Sequence, residues 1–407
     1  MDHGRTVWPS IRTPAALKLD LLCCGLRLGA RCQHSALRDR IVRNRAGLAS
    51  GLDVVLPGGL VVNAAFVEPH CQESPYVLDL SGQPRLVHED CPEEMISVRL
   101  EPTPVWYGLC TQSGLPMRDV ASKQGSYLAV YWGDRCANWT RKEQCHFCTQ
   151  GCNWGAADAI NKQAADVLET IDVARRCQHL TFVHINAGFD DAGRDVEHDL
   201  ALIRQIKRRG LYVGYQVPPI ADTEVYRQLK AAGVDNLSIC PEFFSDAAFK
   251  RWCPGKERRE GRDRFYQAMT VAAGEVGFKT VNGEIIAGLE PIDETIAGVR
   301  WMCERGIVPT VCAFRPLRGS LLQDAPAPSP AALLPAFREL YRCCMQAGLP
   351  IGVAPGIRVA IVMTPDEAAG LQGPRAAWPV QRAALAARRL AALADSRCRR
   401  WMARPRV

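Results

Sequence analysis

From about Gly125 to Phe314 the chain alternates short apolar runs with segments of helical character. The runs Ser126–Trp132, His179–Ile185, Tyr212–Val217, Asn236–Cys240, Lys279–Ile286 and Val308–Phe314 have the length and composition of buried strands. Between them lie the helix candidates Ala159–Arg176, Val196–Arg209, Thr223–Ala232, Arg262–Val276 and Asp293–Arg305. Six strands alternating with five helices predict parallel βαβ units, because parallel neighbours need a long crossover. Right-handed crossovers curl such units towards a full or partial barrel. A flat doubly wound sheet is the competing architecture. It would carry a glycine-rich phosphate loop after the first strand, and a cysteine-bearing loop stands there instead.

The flanks follow other patterns. Ala15–Leu28 predicts a short amphipathic helix. From about Leu48 to Glu101 the chain turns β-rich: Pro57-Gly58-Gly59 divides two β-branched runs within Asp53–Phe66, a hairpin signal. Tyr76–Leu80 and Arg85–Val87 flank Ser81-Gly82-Gln83-Pro84, and Ile96–Leu100 is a further strand candidate. After the Ala/Pro linker Ala325–Pro330, a helix (Ala332–Ala347), a strand (Arg358–Met363) and a basic Ala/Arg-rich helix are expected. The fold class expected is α/β: a partial (β/α)6 TIM-like barrel over residues 123–325. A small β-rich N-terminal region (1–122) would precede it, covering the barrel or binding substrate. A helical C-terminal extension (326–407) would follow.

Apolar content of 47% and charged content of 23% are ordinary for a globular chain. No apolar run is long enough to cross a bilayer. The first sixteen residues lack the apolar core of a signal peptide, so a cytosolic location is expected. The net charge of +7 is unevenly placed: residues 375–407 hold nine arginines and one acid, which leaves the rest near neutral. That tail is expected to be a solvated helix face, with a nucleic-acid partner as the alternative.

Eighteen cysteines in a reducing compartment point to metal or redox chemistry rather than disulfides. The decisive stretch is Cys136-Ala-Asn-Trp-Thr-Arg-Lys-Glu-Gln-Cys145-His-Phe-Cys148, directly after the first barrel strand. Loops at that end of a barrel are where such folds place their chemistry. Soft thiolates select zinc or iron–sulfur clusters. Three thiolates on a four-iron cluster leave one iron free to bind a ligand. With Cys152, four thiolates would instead close a tetrahedral zinc site.

The loop resembles the signature of the radical S-adenosylmethionine (SAM) superfamily, Cys-x3-Cys-x2-Cys with an aromatic residue before the last cysteine, a position Phe147 fills. The first gap is eight residues here instead of three, a widening that adds roughly 0.9 kcal/mol of loop-closure cost. The resemblance implies a [4Fe–4S] cluster on Cys136, Cys145 and Cys148. It also implies a SAM site along the strand ends. Asn186-Ala187-Gly188 would meet the methionine amino group, Glu242 the ribose, and Ile286 with Gly288 the adenine. Arg251 or Lys256 could pair with a carboxylate, of SAM or of the substrate. Arg315-Pro316-Leu317-Arg318-Gly319-Ser320 is similar to the turn that follows the sixth strand in many members.

What the resemblance implies in function is reductive cleavage of SAM to a 5′-deoxyadenosyl radical that acts on a small-molecule substrate, with flavodoxin or ferredoxin as electron donor. Modification of RNA or a peptide, and a non-catalytic zinc protein, are the alternatives. Cys240, Cys253 and Cys312 fall near strand ends. They are either buried structural thiols or ligands of a second cluster.

Overall fold

A computed structural model of the chain describes residues 13–30, 37, 40–44, 46–133, 135–191, 195–278, 280–349, 353–354 and 357–372, with scattered positions between 383 and 398. The Arg-rich tail expected to be helical lies largely outside the described residues. Six strands form the centre: β1 (Tyr127–Tyr131), β2 (Phe182–Asn186), β3 (Tyr212–Gln216), β4 (Asn236–Glu242), β5 (Thr280–Ala287) and β6 (Val308–Ala313). They pair in chain order, each neighbour parallel, and Ser122–Gln124 adds antiparallel to the free side of β1. The sheet curls without closing, which makes it a half barrel of mixed α/β class.

The helices behind it are α1 (Ala164–Cys177), α2 (Val196–Arg208), α3 (Thr223–Ala232), α4 (Asp246–Trp252), α5 (Pro254–Arg259), α6 (Arg262–Thr270), α7 (Ile292–Glu304) and α8 (Pro330–Gln346). Their sequences explain their limits. In α2, Asp195 caps the N-terminus by accepting the His198 N–H, and Leu200, Ile203 and Ile206 bury one face against the sheet. In α3, Asp222 caps the start and Gly233 ends the helix in the left-handed conformation. Helix α1 begins later than its sequence suggests. Residues 154–163 are turns in which Lys162 reaches back to Asp158, and the capping box of Gln163 and Asp166 starts the helix. Helix α6 runs on into a π-helical turn, Val271–Val276.

The N-terminal segment makes two four-stranded sheets. The hairpin Ser50–Val55/Val61–Ala64 turns at Pro57–Gly59, and Tyr76–Asp79 pairs with Arg85–His88. The strand expected at Ile96–Leu100 is split in two. Cys91–Ser97 extends the Arg85–His88 sheet, while Arg99–Leu100 joins Ser50–Val55. The N-terminal helix Pro14–Cys24 buries Leu17, Leu21 and Leu22 in one apolar cluster with Val299 of α7 and Phe337 of α8. Each such leucine contributes up to about 1.5–3 kcal/mol.

Residues 357–365 do not form the strand expected at Arg358–Met363; a single bridge, Val311 to Met363, is the only sheet contact there among the described residues. The backbone groups are taken by separate partners instead. Arg358 O accepts the Ser126 N–H, Val359 O accepts Lys18 Nζ, and Ala360 O accepts the Asn63 N–H. Tied down from three directions, the segment becomes a strap across the bottom of the barrel.

Candidate active site

The cysteine loop leaves β1 and folds over the C-terminal ends of the strands. Local contacts hold it: the Ala137 N–H donates to Phe189 O (2.8 Å), and the His146 N–H donates to Trp252 O (2.9 Å). Arg259 Nε donates to Asn138 Oδ1 at 2.8 Å. The N-terminal region contributes as well. Gly47 O accepts both the N–H and the hydroxyl of Thr149. Gly47 has φ +73°, and a Cβ there would lie 2.5 Å from Gln150 N and 3.0 Å from Cys148 Sγ. Only glycine allows that approach.

Cys136, Cys145 and Cys148 all line one cavity with about 790 Å³ of empty space, partly open to solvent. Two N–H groups point at the Cys148 sulfur, Trp139 Nε1 at 3.5 Å and Gln150 N at 3.4 Å. Burial pushes the Cys148 thiol up to about 12, against those two donors, and raises Cys136 too. A hydrogen bond from the Cys253 thiol, aided by Lys256, holds Cys145 below the usual thiol range despite burial. Phe147 is buried edge-on against Phe243, with ring centroids 5.9 Å apart.

The rest of the lining comes from strand ends: Asn186 closing β2, Ala187 and Gly188 just after it, Gln216 of β3, Cys240 and Glu242 of β4, and Glu284 of β5. A Cβ on Gly188 would stand 2.6 Å from both Cys136 Cβ and the Tyr131 hydroxyl, so only glycine fits between loop and strand. Glu242 follows an irregularity in β4 and has φ +68°, an uncommon conformation for a non-glycine residue. That backbone turns its carboxylate to Lys256 of α5, whose Nζ donates to Glu242 Oε1 (2.5 Å) and Cys240 O (2.8 Å). Burial works against the Lys256 charge, but Glu242 and the nearby thiols prevail and hold its pKa well above the ordinary range. Burial first, and the Glu242 charge second, push Glu284 up to about 8.

No protein-family model matches the chain. A curated relative, a bacteriochlorophyllide c C-7(1)-hydroxylase of Chlorobaculum limnaeum, is 21% identical over 273 residues, covering 62% of this chain and 68% of that protein. Among solved structures, methylornithine synthase is 17% identical, with a TM-score of 0.42 over 70% of this chain and 90% of that one. A maturase of the [FeFe]-hydrogenase is 17% identical, with a TM-score of 0.43 over 54% and 49% of the two chains. The coproporphyrinogen III oxidase of Escherichia coli, a radical SAM enzyme, is 20% identical, with a TM-score of 0.38 over 55% and 52%. The chain spans about half the length of the last two. The cysteine loop resembles that of the radical SAM superfamily, and one of these distant neighbours is described as a radical SAM enzyme.

The donor set suits the cofactors that radical SAM enzymes use. The three thiols line one cavity, and among the described residues no group of three histidine, cysteine, aspartate or glutamate side chains is placed to hold a single metal ion. Three thiols lining one cavity suit a multi-iron cluster, where each holds a different iron. Cys152 is exposed and turned away, its sulfur 3.7 Å from Gly319 O. The other three cysteines face separate neighbours: Cys253 meets Cys145, Cys312 meets Glu284, and Cys240 meets Ser238. Asn186 Oδ1 and Glu242 Oε2 are buried without a protein partner beside the thiols, which leaves acceptors for a bound group.

Of the other expected site residues, Ile286 is buried in the barrel wall and Gly288 lies under the Pro328 ring; neither lines the cavity. Arg251 stacks on Trp252 outside it. Gln216, Trp139, Tyr131 and Glu284 were not singled out from sequence. The signal for Gln216 and Glu284 was present: polar residues alternate in strands otherwise apolar, as in His184-Ile-Asn186, Asn236-Leu-Ser238 and Asn282-Gly-Glu284.

Proposed function

We propose that this protein cleaves SAM reductively at a [4Fe–4S] cluster held by Cys136, Cys145 and Cys148, and uses the resulting radical on a small-molecule substrate. The reading is supported above all by the three thiols lining one cavity, with two N–H donors directed at Cys148 and with Cys152 turned to the Gly319 carbonyl. A cluster bound there would supply the low-potential electron needed to cleave a carbon–sulfur bond of SAM reductively.

The residues of the chain would do the rest. Asn186 to Gly188 present backbone and amide groups to the methionine end, and Glu242, turned inward by its backbone, meets the ribose. Lys256 neutralises Glu242 and keeps that charge from standing alone in a buried wall. Phe147 and Leu48 limit water access beside the thiols. A low-potential carrier, flavodoxin or ferredoxin, would provide the electron in the cytosol. No helix among the described residues is long and apolar enough to cross a membrane. The strap at residues 357–365 closes the barrel floor, which favours a small molecule over RNA or a folded peptide.

Anaerobically purified protein is expected to be brown, to contain about four irons and four sulfides per chain, and to release 5′-deoxyadenosine from SAM with dithionite. Colourless zinc-bound protein that leaves SAM intact would overturn the proposal.

A further inference from the structure

A second cavity, also partly open to solvent, with about 730 Å³ of space between its lining atoms, adjoins the first inside the barrel. Asn186, Gln216 and Glu284 line both, so the two meet at the level of those side chains. One side of the lower cavity is a layer of neutral hydrogen-bonding groups from successive strands, among them Asn236 and Ser238 of β4, Asn282 of β5 and Thr310 of β6. Asn282 Nδ2 donates to Ser238 Oγ (3.1 Å) and Thr310 Oγ1 (3.3 Å), which fixes the amide in place. The carbonyl ends of Asn186, Asn236 and Asn282 are buried with no protein partner. The other side is apolar, made by Val308 and by Ile357, Val359 and Val362 of the strap.

The described residues that line the lower cavity carry little charge. Among the described residues no lysine or arginine lines it. His184 does, but burial lowers its pKa to about 4, so the ring is neutral. Glu284, at the junction with the upper cavity, is the one acid. An anion placed here would be stripped of water with no cation among the described lining residues to receive it. A neutral molecule would meet amides and hydroxyls along one edge and aliphatic carbon on its other face, and a cation would draw out the ionised form of Glu284, whose carboxyl is otherwise held largely protonated below about pH 8.

We propose that the lower barrel cavity is the substrate site, and that the substrate is an uncharged or cationic molecule with a hydrogen-bonding edge and an apolar face, not a carboxylate or phosphate. Calling this ligand the substrate rests on the radical SAM reading of the upper cavity; the charge preference of the lower cavity does not.

Benzamide, benzamidine and benzoate share one shape and differ in charge, so they test the preference directly. Saturation-transfer NMR and thermal-shift titrations on the full chain are expected to find benzamide and benzamidine bound and benzoate weaker by about tenfold or more. Asn282→Leu is expected to weaken benzamide by about tenfold. The isosteric Thr310→Val should give a smaller loss, with the fold checked by circular dichroism. Benzoate binding as tightly as benzamide would overturn the proposal. So would amide binding indifferent to both substitutions, or no binding of either benzamide or benzamidine. These titrations use neither SAM nor reductant, so their failure would leave 5′-deoxyadenosine release untouched, and failure of that assay would leave them intact.

Discussion

Four cysteines lie between residues 136 and 152, and their side chains are turned to different ends. Cys136, Cys145 and Cys148 face the cavity, while Cys152 faces the Gly319 carbonyl. Single alanine substitutions of the first three are therefore expected to abolish iron retention, and Cys152→Ala to keep iron at the wild-type level, as read by iron and sulfide analysis. A four-thiolate zinc site would lose its metal with Cys152. Glu284 offers a second test at this scale. Its folded pKa, near 8, stands above its ordinary value of 4.5 because of burial and then Glu242. The folded state thus binds the Glu284 proton more tightly than the unfolded state. That contribution to stability is fully present below pH 4.5 and is lost as pH rises through 8. Glu284→Gln cannot lose it, so the melting temperature of the variant relative to wild type should climb between pH 6 and pH 9. A difference that stays flat with pH would show that Glu284 ionises normally.

At the scale of elements, the site depends on how β4 ends. The irregularity after Ile239 and the positive φ of Glu242 turn a carboxylate inward, and α5, which begins at Pro254, returns Lys256 to meet it. Neither short helix, α4 or α5, was expected from the sequence. Ser245 accepts the Ala248 N–H to start α4, and Pro254 starts α5. Such brief helices lack the length over which an apolar period can be recognised. Lys256→Met leaves Glu242 buried and unpaired and is expected to destabilise the fold by about 3–5 kcal/mol. Adding Glu242→Gln should recover much of that loss, as measured by urea unfolding. Equal stability of wild type and Lys256→Met would mean that the ion pair is solvated.

On the scale of the whole molecule, the chain is closed by contacts between its two ends. Lys18 of the N-terminal helix is fully buried, and its Nζ donates to Val359 O (2.7 Å) and to both carboxylate oxygens of Glu367 (2.8 and 2.7 Å). Burial lowers the Lys18 pKa against the attraction of Glu367. This pair anchors the strap that floors the barrel. Glu367→Gln should cost about 3–5 kcal/mol by leaving a buried cation without its counter-charge. Lys18→Met combined with Glu367→Gln should be markedly milder than Glu367→Gln alone. If the double variant is no milder, the strap is held by its backbone contacts instead.

The sequence by itself determined the six strands, their order and parallel sense, and the loop that carries the thiols. These are local matters: a buried parallel strand must be a continuous apolar run, a crossover needs a helix, and cysteines close in sequence are carried on one loop. That Phe147, Asn186, Gly188 and Glu242 line the cavity was foreseeable because they occupy strand ends or lie next to a cysteine. Only the tertiary structure decided which cysteine turns away, that Ala46 and Leu48 border the cavity, and that residues 357–365 form a strap rather than a strand. Each of these outcomes depends on partners far apart in the chain, Cys152 with Gly319, Gly47 with Thr149, Lys18 with Glu367, and such pairings leave no periodic mark in the sequence.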